Sequence, residues 1–125
     1  MTMTTPRDAI INRLKDTVAG LGGRAYQAMG SHGNKVVPFA TVKLPGATGD
    51  GRVAFAGAQR VEVRIYDQGG FSILDTLEAA VIQALNGQTI QGYYVQHDPG
   101  GGDFEEEGKL GRIMFFEIAA LWPPH

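Results

Sequence analysis

The 125-residue sequence contains no cysteine. That excludes disulfides, cysteine-ligated zinc or iron–sulfur centres, and thiol catalysis. Long apolar runs are missing too. None approaches the roughly 18 residues of a membrane span, and residues 1–20 lack the apolar core of a secretion signal. An intracellular, soluble protein with no membrane partner is the expectation. Neither charge sign dominates: 11 Lys and Arg stand against 13 Asp and Glu, for a net −2. The chain as a whole is therefore no simple DNA clamp. Hydrophobic residues make up 43% and charged residues 19%, a globular composition. A single domain over residues 1–125 buries roughly 65–68% of its unfolded surface, enough for one core without staples.

Glycine is abundant, at 18 residues, about twice the usual ~7%. The glycines cluster at 20–23, 46–51, 69–70 and 100–102. Helix and strand patterns lie between the clusters, which points to a compact scaffold with sharply turning loops.

Residues 1–4 are polar and expected to fray. Thr5-Pro6 with Asp8 reads as a helix start, followed by Ile10, Leu14, Val18 and Leu21 at helical spacing and stopped by Gly20, Gly22 and Gly23. A short strand is expected within 24–29 and another over 37–44, with Ala40, Val42 and Leu44 on one face. A long strand follows over 52–66, with a bulge or bend at Gly57. Its clearest part, Val61-Glu62-Val63-Arg64-Ile65-Tyr66, alternates strictly. Ser72 with Asp75 resembles a capping box. It opens a second helix that carries Leu74, Leu77, Val81 and Leu85 and ends at Asn86-Gly87. Strands over 92–97 and 110–122 complete the chain, the last loaded with apolar residues on both faces and expected to be central and covered on both sides, at least at its C-terminal end. The predicted class is α+β, two helices on one mostly antiparallel, mixed sheet, in the order α-β-β-β-α-β-β.

Residues 97–108 form a glycine-rich segment expected to be a long loop. It holds Asp98, Asp103, Glu105, Glu106 and Glu107 and no Lys or Arg, a charge of −5. The remaining chain sets 11 bases against eight acids, +3. Three readings stand: a solvated loop, a cation site built from carboxylates, or an element that orders against a partner with Phe104 as its anchor. The third is preferred, and copies of such a loop lining a channel would repel DNA phosphate. On this view Glu105, Glu106 and Glu107 are dispensable to the fold. Arg60, Glu62 and Arg64 alternate with the apolar strand residues, so they are expected to pair across the sheet or across a subunit boundary, or to form a solvated face. Tyr26, Tyr66, Tyr93, Tyr94 and Trp122 are candidate interface aromatics.

Nothing asks for catalysis. His32, His97 and His125 are scattered, Gly20 to Gly23 ends a helix instead of opening one, and Ser31 lies outside any nucleophile elbow. His97-Asp98 can be written as a base and its orienter, but no nucleophile stands beside it.

The order of elements carries a resemblance. The amphipathic first helix leads to a short Ala-Tyr segment and then Pro38-Phe39-Ala40-Thr41-Val42. The Val61 to Asp67 strand, a helix ending at Asn86-Gly87, and Arg112-x-x-Phe115-x-Glu117-Ile118 follow. Across residues 6–122 this resembles the tail-terminator or tail-completion proteins of long-tailed bacteriophages. The resemblance implies a non-enzymatic virion protein of the tail and neck, made in the host cytoplasm, with no cofactor or metal. It implies a homo-oligomeric ring, typically a hexamer, on the head-proximal end of the tail tube. There it ends tube polymerisation and contacts both the tube protein and the head-tail connector or neck protein, while phage DNA passes through the lumen. Asp98, Asp103, Phe104, Glu105, Glu106 and Glu107 are then the candidate partner or lumen segment. Arg60, Glu62, Arg64, Tyr66 and Tyr94 are the candidate subunit interface. The alternatives are another neck or head-completion ring, or a small metal-binding module.

Overall fold

Thr5, Pro6 and Asp8 act together at the start of the first helix, α1 (Pro6–Thr17). The Thr5 hydroxyl accepts the Asp8 backbone N–H at 3.1 Å, and Pro6 occupies a position where no N–H is missed. A short 3₁₀ turn, Ala19–Leu21, follows and closes on Gly22 in the left-handed region. The computed structural model describes residues 5–28, 36–44 and 58–120. The expected bend at Gly57 and the interface candidate Trp122 lie outside the described residues.

The strands are β1 (Ala25–Gln27), β2 (Phe39–Lys43), β3 (Ala58–Asp67), β4 (Gln88–Ile90), β5 (Tyr93–Glu106) and β6 (Lys109–Ala120), with the second helix, α2 (Phe71–Leu85), between β3 and β4. They form one mixed sheet in the order β1-β2-β3-β6-β5-β4. Only the β1–β2 pair is parallel. The α+β class is as the sequence predicts, with one strand more: β4 is absent from the predicted order. The chain turns from β4 into β5 through Gln91 and Gly92, both at positive φ (50° and 89°). This two-residue hairpin geometry follows the twist of the strands, and Gln-Gly is a weak signal for it.

Both helices pack on the same face of the sheet. Ile10, Leu14, Leu74, Val81 and Leu85 meet Val42, Val61, Val63, Ile65, Val95, Met114, Phe116 and Ile118 in one core. This is the alternation of β3 realised: the residues between its charged positions are all buried. The first strand-like stretches depart from their patterns. In β2, Phe39 and Thr41 are as buried as Ala40 and Val42, because Phe39 stacks on Tyr66 across the strands at 4.6 Å on the face away from the helices. In β6 the helix-facing Met114, Phe116 and Ile118 are buried, whereas Ile113 and Phe115 on the other face are only half-buried. The last strand is thus fully covered on one side only.

The second helix begins at Phe71 with Gly70 as its N-cap and no side-chain cap bond, so Ser72 does not cap it. The turn before it is held instead by Asp67, whose carboxylate accepts the Gly69 N–H at 2.7 Å. At its other end Asn86 donates its backbone N–H to Ile82, and Gly87 takes positive φ, as Asn-Gly predicts.

The largest departure is at 97–108, which is strand and not loop. β5 runs through Pro99 and the glycines to Glu106 and pairs with β6 on both sides of a bulge between Asp98 and Gly102. The bulge absorbs the residues that a regular ladder has no place for. Glu107 (φ 53°) and Gly108 (φ 78°) then make the tight hairpin turn into β6.

Val63 is fully buried between the helices and the centre of the sheet. Val63→Asp places an unpaired charge there and is expected to cost about 4 kcal/mol or more. Urea unfolding checks this, and a midpoint near that of the unaltered protein would contradict the face assignment.

Candidate functional site

The polar surface of the molecule is organised by strands β3, β6 and β5. Arg60, Glu62, Arg64 and Tyr66 all point from β3 to the face without helices, since β3 alternates and its odd-numbered partners Val61, Val63 and Ile65 are in the core. Tyr66 is not an exposed interface aromatic. It is 1% exposed, stacked on Phe39 and meeting Phe104 edge-on at 5.4 Å. Phe104 is likewise spent inside the subunit. Its ring lies across Gly111 of β6, where a Cβ has no room. Glycine at 111 is what lets an aromatic from β5 reach Tyr66 on β3. Tyr94, by contrast, is 40% exposed on β5.

The acids of 97–108 are mostly paired with these strands. Arg60 lies over the Phe115 ring at 4.0 Å and reaches Asp98 at 3.5 Å. Glu106 accepts the Tyr66 hydroxyl at 3.0 Å and stands 3.6 Å from Arg64. Arg64 also donates to Glu62 at 2.6 Å and sits 5.1 Å from the Phe104 ring centre. Burial works against the charge on Arg64, but the Glu62 hydrogen bond and charge, with help from Tyr66, outweigh it and raise its pKa. For Tyr66, burial pushes the phenol up first, and the bond to Glu106 adds to it. Arg64 opposes both, and the net pKa is about 12.

Arg112 is the densest node. It projects from β6 to the helix side and donates through Nε to Asp103 at 2.6 Å. Its Nη1 donates to Glu78 at 2.8 Å and stands 2.8 Å from Asp75. Its side chain is 12% exposed. Burial alone would lower its pKa. The hydrogen bonds it donates to Asp75, Asp103 and Glu78 and the charge of Asp103 override that and raise it. One guanidinium thus ties α2, β5 and β6 together with its planar fork. Glu105 is exposed and stands outside these ion pairs.

Asp98, Asp103 and Glu106 are therefore strand residues held by Arg60, Arg112 and Arg64, not parts of a free loop. The charge separation along the sequence is largely folded back on itself. Among the described residues no group of three or more His, Asp or Glu is placed to hold a metal ion. His97 and Asp98 point to opposite faces of β5. The His97 ring packs on Phe116 at 5.2 Å and its backbone N–H donates to Asn86 Oδ1, while Asp98 turns to Arg60. They cannot work as base and orienter. Arg112 and Gly111 are the important residues that pattern reading does not weigh. The signal for them was the Glu-Gly turn at 107–108, which sets Asp103 opposite Arg112 and Phe104 opposite Gly111.

No protein-family model matches the sequence, and a search of curated proteins finds no match. Among solved structures, the chain is similar to a chain of the virion of a native gene transfer agent particle. The likeness covers 92% of this chain and 93% of that chain, with a TM-score of 0.69 and 14% identity. At that identity the two share a fold.

Breaking a fully buried ion pair costs about 3–5 kcal/mol, and the partly exposed carboxylates here bring the expected loss for Arg112→Ala to about 2 kcal/mol. Arg112→Lys is expected between Ala and Arg, because an ammonium cannot reproduce the fork. Chemical denaturation of both variants checks the order. Glu106→Ala is expected to destabilise and Glu105→Ala to be nearly silent, within about 0.5 kcal/mol, so the three glutamates are not equally dispensable. The raised pKa of Tyr66 adds stability that is complete below its ordinary value of 10.0 and is lost as pH rises through about 12. Absorbance titration should show one phenolic step near pH 12 that disappears in Tyr66→Phe. A titration identical in both proteins would contradict the Tyr66–Glu106 bond.

Proposed function

We propose that this protein is a structural component of a phage-like virion. In this reading it forms a ring at the head-proximal end of the tail tube, ends tube polymerisation and joins the tail to the head connector, with DNA passing through the lumen. The observation that carries it is the end-to-end likeness to a virion chain, 92% of one and 93% of the other. A match of that extent concerns the whole domain and not a shared supersecondary piece. The element order that resembles tail terminators likewise runs over nearly the whole chain, residues 6–122.

The physical properties support a part that is built to be assembled. Its polar side chains brace a sheet, and a six-stranded sheet with two different edges offers unlike surfaces to neighbours on either side, the geometry of a heterologous contact that closes by rotation. An excess of acid over base lets DNA phosphate pass without adhering.

The test is addition of the purified protein to tail tubes assembled without a terminator. Tubes are expected to stop growing, to carry extra density at one end in electron micrographs, and to gain competence to join connector-bearing heads. Light scattering of the assembled ring should give a mass of about 80 kDa for six subunits of 13.4 kDa. Tubes that keep growing with bare ends would overturn the terminator reading. If the protein then bound isolated connectors, the neck-ring alternative would replace it.

A further inference from the structure

The asparagines of the chain are Asn12, Asn34 and Asn86, and only Asn86 is followed by glycine. That dipeptide is the one most prone to closing on itself. Glycine has no Cβ to obstruct the approach of its nitrogen to the asparagine side chain, and its backbone turns freely. The Gly87 N attacks Asn86 Cγ and gives its proton to hydroxide. The Cγ–Nδ2 bond then breaks, and the nitrogen takes a proton from water and leaves as ammonia, which restores the hydroxide. Water opens the resulting succinimide at one of its two carbonyls, leaving aspartate or isoaspartate. Nothing is oxidised or reduced.

Both residues are exposed, so water and hydroxide reach them. The fold nevertheless ties every group that the closure needs. Asn86 is the C-cap of α2, and its ψ of 126° turns the Gly87 nitrogen away from its own side chain. The Gly87 N–H donates to Val95 O at 2.8 Å. The Asn86 Oδ1 accepts the His97 N–H at 2.8 Å, and the Asn86 N–H donates to Ile82 O at 2.7 Å. Attack therefore requires the bonds to Val95 and His97 to break and the Asn86 ψ to rotate. The element that has to move is small. β4 has three residues, of which Thr89 is exposed, Gln88 half-buried and only Ile90 buried in the core. Residues at positive φ flank it, Gly87 on one side and Gln91-Gly92 on the other. A short edge strand between two such turns belongs to the low-stability end of a fold.

We propose that Asn86 is a self-modification site gated by this corner. It is inert while β4 pairs with β5 and converts through the succinimide when β4 lifts. The isoaspartyl product runs the chain through the side-chain carbons, which lengthens the backbone by one carbon at the end of α2. Gly87 then no longer meets Val95, so a corner that has reacted this way does not close again. The aspartyl product keeps the length but adds a negative charge to a stretch, Phe71 to Glu107, that has no Lys or Arg.

The folded protein and the protein in concentrated urea are incubated at the same mildly alkaline pH. Peptide mass mapping then reads conversion as the mass gain of a carboxyl replacing an amide at position 86. The folded protein is expected to convert roughly tenfold or more slowly. Hydrogen exchange gives a second reading, because exchange at the Gly87 amide breaks the same bond to Val95 and should be slowed by a similar factor. Small additions of urea, below the unfolding transition, separate local from global opening. Conversion through β4 alone is expected to stay nearly constant there, since lifting so short a strand exposes little surface. Ile90→Ala removes the anchor of β4 and is expected to speed conversion several-fold with the same flat dependence. The proposal is overturned by equal rates in folded and unfolded protein, by a Gly87 amide that exchanges freely in the fold, or by a rate that climbs with urea as steeply as global unfolding. A folded Ile90→Ala that converts no faster than the unaltered protein overturns it as well.

Discussion

The guanidinium of Arg112 is the point on which the acidic half of this fold depends. Asp75 and Glu78 on the second helix and Asp103 on β5 converge there. Without a cation between them, three carboxylates would repel across a narrow space, and the outer hairpin would part from the helix. Ion pairs at surfaces are ordinarily worth little. This one differs because a single rigid fork, mostly withdrawn from water, serves three partners on two other elements, so the ordering cost of the arginine is met once. The opposite face repeats the principle with less burial. Arg60 and Arg64 reach from β3 past β6 to Asp98 and Glu106 on β5. The outer strand is thus gripped from both faces by arginines rooted in the two central strands.

That grip explains how a stretch with three consecutive glycines and a proline remains a strand. Gly100 to Gly102 contribute no side-chain packing and carry a large entropic cost on ordering. The compensation comes from the paired acids on either side of them, from the close fit of Phe104 over Gly111, and from the tight turn at Glu107-Gly108. Glycine here is also a steric requirement. At 111 its missing Cβ is the space that the aromatic ring occupies, and the ring then closes the Phe39–Tyr66 stack.

What was legible in the sequence follows from how locally each element is specified. The first helix announces itself through Thr5, Pro6 and a periodic apolar stripe, and β3 through strict alternation, because both signals lie within a few residues. The α+β class, the presence of the two helices and the burial of Val61, Val63 and Ile65 were all readable for that reason, whereas the end of the first helix at Thr17 and the start of the second at Phe71 were not. β5 was not, since its strand character comes from residues on other strands. Read alone, His-Asp-Pro-Gly-Gly-Gly is a loop; read opposite Phe115, Ile113 and Arg112 it is one side of a ladder. The same holds for the site. Sequence singled out the five acids and the β3 arginines as separate features, the acids for a partner and the arginines for pairing across the sheet or a subunit boundary. Folding places them against each other, and most of the charge that looked available is neutralised within the subunit.

The uneven remainder is informative because of that neutralisation. A fold that only needed to hold β5 in place could balance its acids with nearby bases. Here no Lys or Arg occurs anywhere from Phe71 to Glu107, so the bases that hold β5 come from the central strands β3 and β6. The acidic stretch therefore depends on the central sheet for its cations and is fixed as a strand where those arginines reach it.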